Sequence, residues 1–246
     1  MHGTDEDHAK RAVARHAVDA HVRDDACIGL GSGSTMRYAI ERVGELVADG
    51  ARIRAVATSH ETERLCREAK IPLATFGDEP IGVAIDGTDE IDPQWSLVKG
   101  GGGALFREKA VALLAQTFVV IATERKCVER LGAFPLPVEV VPFSTSFVAR
   151  EIESLGATVV LRRSAYDGRS FVSDNGNAIL DCDFGAIVSP PILDRILREI
   201  HGVVCTGLFI SLASAVVVAM PDGSVRTLAT PSHGRAPMEV RPSNCV

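Results

Sequence analysis

The 246-residue chain lacks the patterns that mark several large protein classes. Its six cysteines, Cys27, Cys66, Cys127, Cys182, Cys205 and Cys245, form no C-x-x-C pair and no Cys/His cluster with zinc spacing. The start, Met1-His2-Gly3-Thr4-Asp5-Glu6-Asp7, is acidic, without the basic stretch and apolar run of a secretory leader. Scattered thiols without such a leader are expected in a reduced, cytoplasmic setting. Positive charge is not in excess: 26 Lys plus Arg against 32 Asp plus Glu give a net −6. That sign repels nucleic-acid backbones at long range, so no nucleic-acid partner is expected. There is no internal repeat, and 46% hydrophobic with 24% charged residues excludes disordered, collagen-like and coiled-coil chains. One uncharged run, Val203–Met220, approaches the length of a membrane span. Thr206, Gly207, Ser211 and Ser214 interrupt it, and its valines point to two buried strands, Val203–Thr206 and Ala215–Met220. No membrane partner is therefore expected.

What is present is an alternation of helix and strand signals. Residues 7–22 place Ala9, Ala12, Val13, His16, Ala17 and Ala20 on one helical face. Strands are predicted at Ala26–Leu30, Ile53–Ala57, Ile81–Ile85, Ser96–Val98 and Thr117–Ala122. Helices are predicted from Ser34 to about Gly50, after a Thr58/Glu61 capping box, and over Ala104–Gln116. This order implies a parallel, doubly wound sheet. The turn-rich Gly132–Pro137 reads as a hinge. Beyond it, strands at Val138–Val141 and Thr158–Leu161 flank a helix at Phe147–Leu155. Phe171–Ser173 and Ala178–Asp181 flank the Asp174-Asn175-Gly176-Asn177 turn as a hairpin, and a helix follows at Pro191–Ile200. These elements suggest a small α+β lobe, with the final apolar strands returning to the first sheet. The expected division is residues 1–132 plus 205–228 as a catalytic domain and 133–204 as the smaller one. The tail 229–246 is rich in proline and reads as irregular.

Three motifs carry possible chemistry. Gly29-Leu30-Gly31-Ser32-Gly33-Ser34-Thr35 lies between a strand and a helix, where glycines allow close approach and a helix N-terminus suits phosphate. Ser34 and Met36 stand where G-x-G-x-x-G needs glycine, no Gly-Lys completes a Walker A loop, and no frame fits G-x-S-x-G. A capped strand-to-helix turn is the plain alternative. Asp86-Gly87-Thr88-Asp89-Glu90-Ile91-Asp92 follows a strand; its acids suit a metal, sugar hydroxyls or proton transfer, or are a solvated turn. Lys99-Gly100-Gly101-Gly102-Gly103 precedes a helix, and four consecutive glycines are entropically costly. They suggest a backbone wrapped around a substrate, with N–H groups for a developing oxyanion and Lys99 at the entrance. Glu108, in the following helix, is a candidate base; by itself it reads as a surface charge. A phosphate cradle, hydroxyl-binding carboxylates, a cation and one base, without a nucleophile–base pair, leave proton transfer as the simplest chemistry.

The stretches GLGSGST (29–35), ATSHETERLCREAKIPL (57–73), DGTDEID (86–92), KGGGGALFREK (99–109), LGAFPLPVEVVPF (131–143), SDNGNAILD (173–181) and GLF (207–209) occur in one order, from about Lys10 to Leu228. In this the sequence resembles the type A ribose-5-phosphate isomerase family. The resemblance implies an α/β fold: a doubly wound, mostly parallel, Rossmann-like sheet with an inserted smaller α+β, ferredoxin-like lobe. It implies interconversion of D-ribose 5-phosphate and D-ribulose 5-phosphate through a cis-enediolate, with no metal and no cofactor. Glu108 is implied as the base, and Lys99 with the N–H groups of Gly100, Gly101 and Gly102 as enediolate donors. Asp86 and Asp89 hold hydroxyls in that scheme, Asp86 assisting ring opening, with Gly87 and Thr88 between them. Ser32, Gly33, Ser34 and Thr35 hold the phosphate end, joined by Lys126 and Lys10. A homodimer, or a dimer of dimers, is also implied. Ser32 stands where the family usually has Thr, and Thr88 where it usually has Ala. His201–Gly207 lacks the Pro and Glu often found there. The alternatives are a non-catalytic sugar-phosphate sensor on a related fold, for which the first 25 residues are too short to supply a helix-turn-helix, and an isomerase of another aldose phosphate.

Overall fold

The computed structural model describes residues 2–228; the tail 229–246 lies outside the described residues. Helix α1 (His2–His21) leads into β1 (Cys27–Leu30), α2 (Ser34–Ala48), β2 (Arg54–Ala57) and α3 (His60–Glu68). Then come β3 (Val83–Gly87), β4 (Glu90–Ile91), β5 (Leu97–Val98), α4 (Leu105–Leu114) and β6 (Thr117–Thr123). The lobe holds β7 (Leu136–Val140), α5 (Thr145–Ser154), β8 (Thr158–Leu161), β9 (Ala178–Asp183), α6 (Pro190–Glu199) and β10 (Val203–Thr206). The chain closes with β11 (Leu208–Phe209), β12 (Ala215–Ala219) and β13 (Val225–Thr227).

The large sheet runs β13-β12-β6-β3-β1-β2. All its pairs are parallel except β12 with β13. Strand β1, Val83–Ile85 of β3 and Phe118–Ala122 of β6 read as short unbroken apolar runs because helices or loops cover both faces. One face buries Val13, Met36, Val43 and Cys66 from α1, α2 and α3. The other buries Val111 and Ala112 of α4 with Trp95, Leu97 and Phe209. The lobe follows the order β-α-β-β-α-β with a fully antiparallel sheet β10-β7-β9-β8, the ferredoxin-like arrangement. Strand β10 spans the expected 204/205 boundary and pairs with β7, so it belongs to the lobe's sheet.

Four local expectations are corrected. The buried stripe of α1 is Val13, Ala14, Ala17 and Val18, while His16 and Ala20 are exposed, because α1 packs through the small residues on α2 and the sheet. Ser59, not Thr58, caps α3: its Oγ accepts from Thr62 N at 3.0 Å, while the Thr58 hydroxyl donates to Leu30 O at 3.1 Å. Phe171–Ser173 is not a strand; β9 takes β7 and β8 as its partners instead. Within 86–92, Glu90–Ile91 forms a strand that joins β5 and β11 in a separate three-stranded sheet.

Candidate active site

In the large sheet the strand order reverses between β1 and β3. The open carboxyl ends at such a reversal are where doubly wound sheets hold ligands. The loop after β1 carries Gly31–Gly33 and runs into α2 at Ser34–Thr35, and β3 ends at Asp86–Gly87. Gly31 donates to Ile85 O at 3.0 Å, and a Cβ on it would lie 1.9 Å from Asp86 Oδ1. Only glycine fits where the first motif crosses the second. Gly33 takes φ 104° as the N-cap of α2, so Ser34 and Thr35 open the helix with first-turn N–H groups free for an anion.

Ser32 is tied inward. Its hydroxyl donates to Ser59 Oγ at 2.8 Å and lies 2.9 Å from Thr58 Oγ1. Thr62 Oγ1 donates to Gly31 O at 2.9 Å. A net of four hydroxyls thus anchors the loop to the start of α3. Thr58, Ser59 and Thr62 carry no expectation of this role from the sequence; the run of hydroxyl residues after β2, beside the glycine loop, is the signal that would reveal it.

The acidic motif splits. Glu90 and Asp92 are structural: Glu90 accepts from Gly132 N and Phe134 N, both at 2.7 Å, and Asp92 Oδ1 accepts from Gln94 N and Ser96 N. The hydroxyl of Thr88 lies 2.6 Å from Glu90 O and 3.0 Å from Val98 O, so it braces the same turn. Asp86 and Asp89 take different partners. Asp89 accepts from Gly101 N at 2.8 Å, and Asp86, 2% exposed, sits behind the cleft wall.

Lys99 joins these parts. It follows β5, and its Nζ donates to Gly87 O at 2.7 Å, with Asp86 Oδ2 at 3.0 Å and Glu108 Oε2 at 3.2 Å. Glu108 is on the inward face of α4 with Leu105 and Val111, which overturns its reading as a surface charge. Its Oε2 is buried and makes no aligned hydrogen bond among the described residues, which leaves a lone pair for a substrate proton. Burial pushes the Glu108 carboxyl up to about 8; the nearby Asp86 charge adds to the rise and Lys99 opposes it. Burial also raises Asp86, against Lys99 and the N–H groups of Gly87 and Ser32. Burial works against the Lys99 ammonium, yet Asp86 and Glu108 outweigh it and hold its pKa above the ordinary lysine value. Two carboxyls around one ammonium in a water-poor site favour one shared proton.

The glycine loop has a divided logic. Gly100 and Gly103 take φ 106° and 82°, and a Cβ on Gly101 would meet the Asp89 carboxylate at 2.9 Å. A Cβ on Gly102 would meet nothing within 4 Å, so no neighbour explains that glycine and the open side faces the cleft. Arg162 from the lobe draws the carbonyls of Gly100 (2.7 Å) and Gly101 (3.1 Å) away from it.

The cleft holds about 240 Å³ and is lined by Ser32–Thr35, Gly87–Asp89, Lys99–Gly102, Glu108, Lys126 and Lys10, together with Glu6 and the β6 end Ile121–Thr123. Lys10 pairs with Glu6 at 2.8 Å. Every expected site residue except Asp86 therefore faces one space, and Asp86 adjoins it through Lys99.

Residues 54–223 match the family model for ribose 5-phosphate isomerase A (phosphoriboisomerase A). The chain belongs to the ribose 5-phosphate isomerase A family. Its relatives include ribose-5-phosphate isomerase A of Roseiflexus sp. (strain RS-1), 48% identical over 88% of this chain and 94% of that one. The Gluconobacter oxydans (strain 621H) isomerase is 46% identical over 91% and 97%. Among solved structures, ribose 5-phosphate isomerase from Plasmodium falciparum superposes with a TM-score of 0.87 at 34% identity, covering 90% and 98%. A D-ribose-5-phosphate isomerase in complex with phospho-erythronic acid superposes with a TM-score of 0.86 at 37% identity, covering 89% and 97%. Ribose 5-phosphate isomerase A membership makes the chain an enzyme and sets aside the sensor reading.

Proposed function

We propose that this cleft moves a proton between C2 and C1 of a pentose 5-phosphate, with Glu108 as the base. As a family member the chain interconverts D-ribose 5-phosphate and D-ribulose 5-phosphate in the pentose phosphate pathway. The observation that carries the mechanism is the buried Lys99 ammonium, 3.0 Å from Asp86 and 3.2 Å from Glu108, beneath a loop of glycines. Glu108 takes the C2 proton of the open-chain aldose, and the released electron pair forms the C1–C2 double bond with negative charge on O1. Lys99 and the N–H groups of Gly100 and Gly102 stabilise that charge. The Gly101 N–H, engaged by Asp89 here, joins them when Asp89 turns to a substrate hydroxyl. Return of the proton to C1, with transfer of the O2 proton to O1, gives the ketose. Asp86, behind the cleft wall, touches no substrate and holds no hydroxyl; across Lys99 it shares a proton with Glu108 and so sets how readily Glu108 protonates the ring oxygen for ring opening. Asp89 and the Gly87–Thr88 backbone orient the hydroxyls. The phosphate sits on the first turn of α2 at Gly33–Thr35, with Ser32 holding the loop and Lys126 and Lys10 supplying charge. A phosphorylated acid such as the phospho-erythronic acid bound by the relative is the kind of ligand this division of charge would take.

A carboxylate base contributes roughly 10²–10⁴-fold, and each oxyanion donor about 10²–10³-fold. Glu108→Gln keeps the volume and removes the base, so turnover should fall by about 10²-fold or more with KM little changed. Near-parental turnover would remove Glu108 from this role. Turnover in the presence of a chelator is expected to be unaltered, and its loss would replace the metal-free scheme.

Residues 1–132 with the chain after β10 form the catalytic part, and 133–206 the lobe. The enzyme works in the cytoplasm; no described helix is long and apolar enough to cross a membrane. It forms a homodimer or a dimer of dimers, supported by the exposed Phe106, Leu113 and Leu114 of α4 and tested by sedimentation of the purified chain.

A further inference from the structure

The Ser173–Asn177 turn has no part in the chemistry above, yet it is built with unusual care. Glu139, on β7, is 0% exposed. Its Oε1 accepts from Ser173 Oγ at 2.8 Å, Asn177 Nδ2 at 2.9 Å and Asn175 Nδ2 at 3.1 Å. The turn closes through Ser173 N to Asn177 O and Gly176 N to Ser173 O, both 2.9 Å, with Gly176 at φ 80°. A fully buried carboxylate is costly unless its bonds do something an apolar residue cannot. Here they give one turn a single shape.

That shape reaches across to two helices of the other domain. Asn175 Oδ1 accepts from Arg107 Nε, and Asp174 O from Arg107 Nη2, both at 2.9 Å. Arg107 immediately precedes Glu108 in α4. Asp174 Oδ2 accepts from His60 N at 2.7 Å, and its Oδ1 lies 3.3 Å from His60 Nδ1. His60 immediately follows Ser59, which caps α3 and holds Ser32.

We infer that the Ser173–Asn177 turn, seated on Glu139, is a positioning device for the reaction: through Arg107 it sets Glu108 against Lys99, and through His60 it sets the phosphate loop. The inference rests on the assignment of Glu108 as base. Arg107, Asp174 and Asn175 are positioning residues and touch no substrate. A displacement of about 1 Å at a reacting group can cost about 10²-fold, so the two arms should act on different kinetic constants.

The test compares Arg107→Ala, Arg107→Lys, Asp174→Ala and Glu108→Gln in steady-state ribose 5-phosphate isomerisation. Arg107 and Asp174 are partly exposed, so their truncation spares the core while Glu139 stays in place. Arg107→Ala should lower kcat by roughly 10–100-fold, with KM changed by less than about threefold. Arg107→Lys should recover part of kcat, since one of the two hydrogen bonds can re-form. Asp174→Ala should mainly raise KM. A kcat within about twofold of the parent in Arg107→Ala overturns the inference. So does a parallel change of kcat and KM in both alanine variants, the mark of general loosening. If Glu108→Gln turns over normally, the base assignment fails and the positioning role falls with it. If Glu108→Gln is inactive and Arg107→Ala is normal, the positioning role alone fails.

Discussion

Replacing Lys99 by methionine removes a buried positive charge while roughly conserving the shape of the stem. Its Nζ stands 3.0 Å from Asp86 Oδ2 and 3.2 Å from Glu108 Oε2. At an effective dielectric constant of about 20, a unit charge at that distance contributes roughly 5 kcal/mol to holding each carboxylate ionised. That corresponds to an upper limit of about three to four pKa units, since one unit is about 1.4 kcal/mol. Glu108 already titrates near 8 because burial outweighs Lys99. Without Lys99 it should retain its proton past about pH 10. The free enzyme's base limb, read from kcat/KM against pH, should move alkaline by at least about two units. At neutral pH the rate should fall about 10²–10³-fold from loss of base, beyond the loss of an oxyanion donor. The fold should survive, because both carboxyls can take up protons; a drop of about 3–5 kcal/mol would signal that they had stayed ionised and unpaired. The assay is the initial rate of ketose formation from about pH 6 to about pH 10 for both proteins. A uniform loss with an unmoved midpoint would refute the coupling, because Lys99 would then act on the enediolate alone.

Two further outcomes test the same cluster through stability and packing. Glu108 holds its proton to about 8 when folded against an ordinary value of 4.5, so the unfolded chain releases its proton first as pH rises. The stability this lends is full below about 4.5 and is lost up to about 8, at roughly 1.4 kcal/mol per pH unit. Glu108→Gln has no such proton, so its melting temperature relative to the parent should climb across that window in calorimetry. A flat difference would place the titration elsewhere. Gly31→Ala would put a Cβ 1.9 Å from Asp86 Oδ1. Overpacking of that kind costs about 1–3 kcal/mol, and displacing Asp86 should lower kcat more than the stability loss alone; an unaffected kcat would show that Asp86 tolerates movement.

Much of this arrangement is legible in the sequence because short-range rules decide it. Strand runs alternating with helical periodicity specify β1, β3, β6 and the parallel sheet, and the glycine and acidic motifs fall at strand ends, where doubly wound sheets hold ligands. Sequence periodicity misplaced the buried stripe of α1, since Val18 and Ala14 compete with Ala20 and His16 and only tertiary packing chooses between them. Nor does composition divide the four acids of 86–92 by role. Glu90 and Asp92 share the composition of Asp86 and Asp89, but Glu90 on β4 and Asp92 just after it turn their side chains to backbone N–H groups of 94, 96, 132 and 134. The Ser32–Ser59 contact and the Glu139 turn join residues 27 to 38 positions apart; the hydroxyl run after β2 signals the first, and no local pattern encodes the second. Ser32 in place of Thr is compatible with that net, since the hydroxyl is the part in use. Nothing in the structure explains the loss of Pro and Glu at 201–207.

The placement of the lobe bears on how the chain reaches this state. Ala215 pairs with Val119, roughly a hundred residues apart along the chain, and most of what lies between them belongs to the lobe. Loop closure over that span is slow unless the intervening segment collapses first. The lobe's own pairs, β8 with β9 and β7 with β9, are more local, so it should fold early and bring β12 back to β6. Until then β6 presents an apolar, unpaired edge, Phe118–Ala122, of the kind that recruits other chains. During synthesis the vulnerable interval therefore runs from emergence of β6 to emergence of β12, and substitutions that slow the lobe should appear first as aggregation of the newly made chain, before any defect in the finished enzyme.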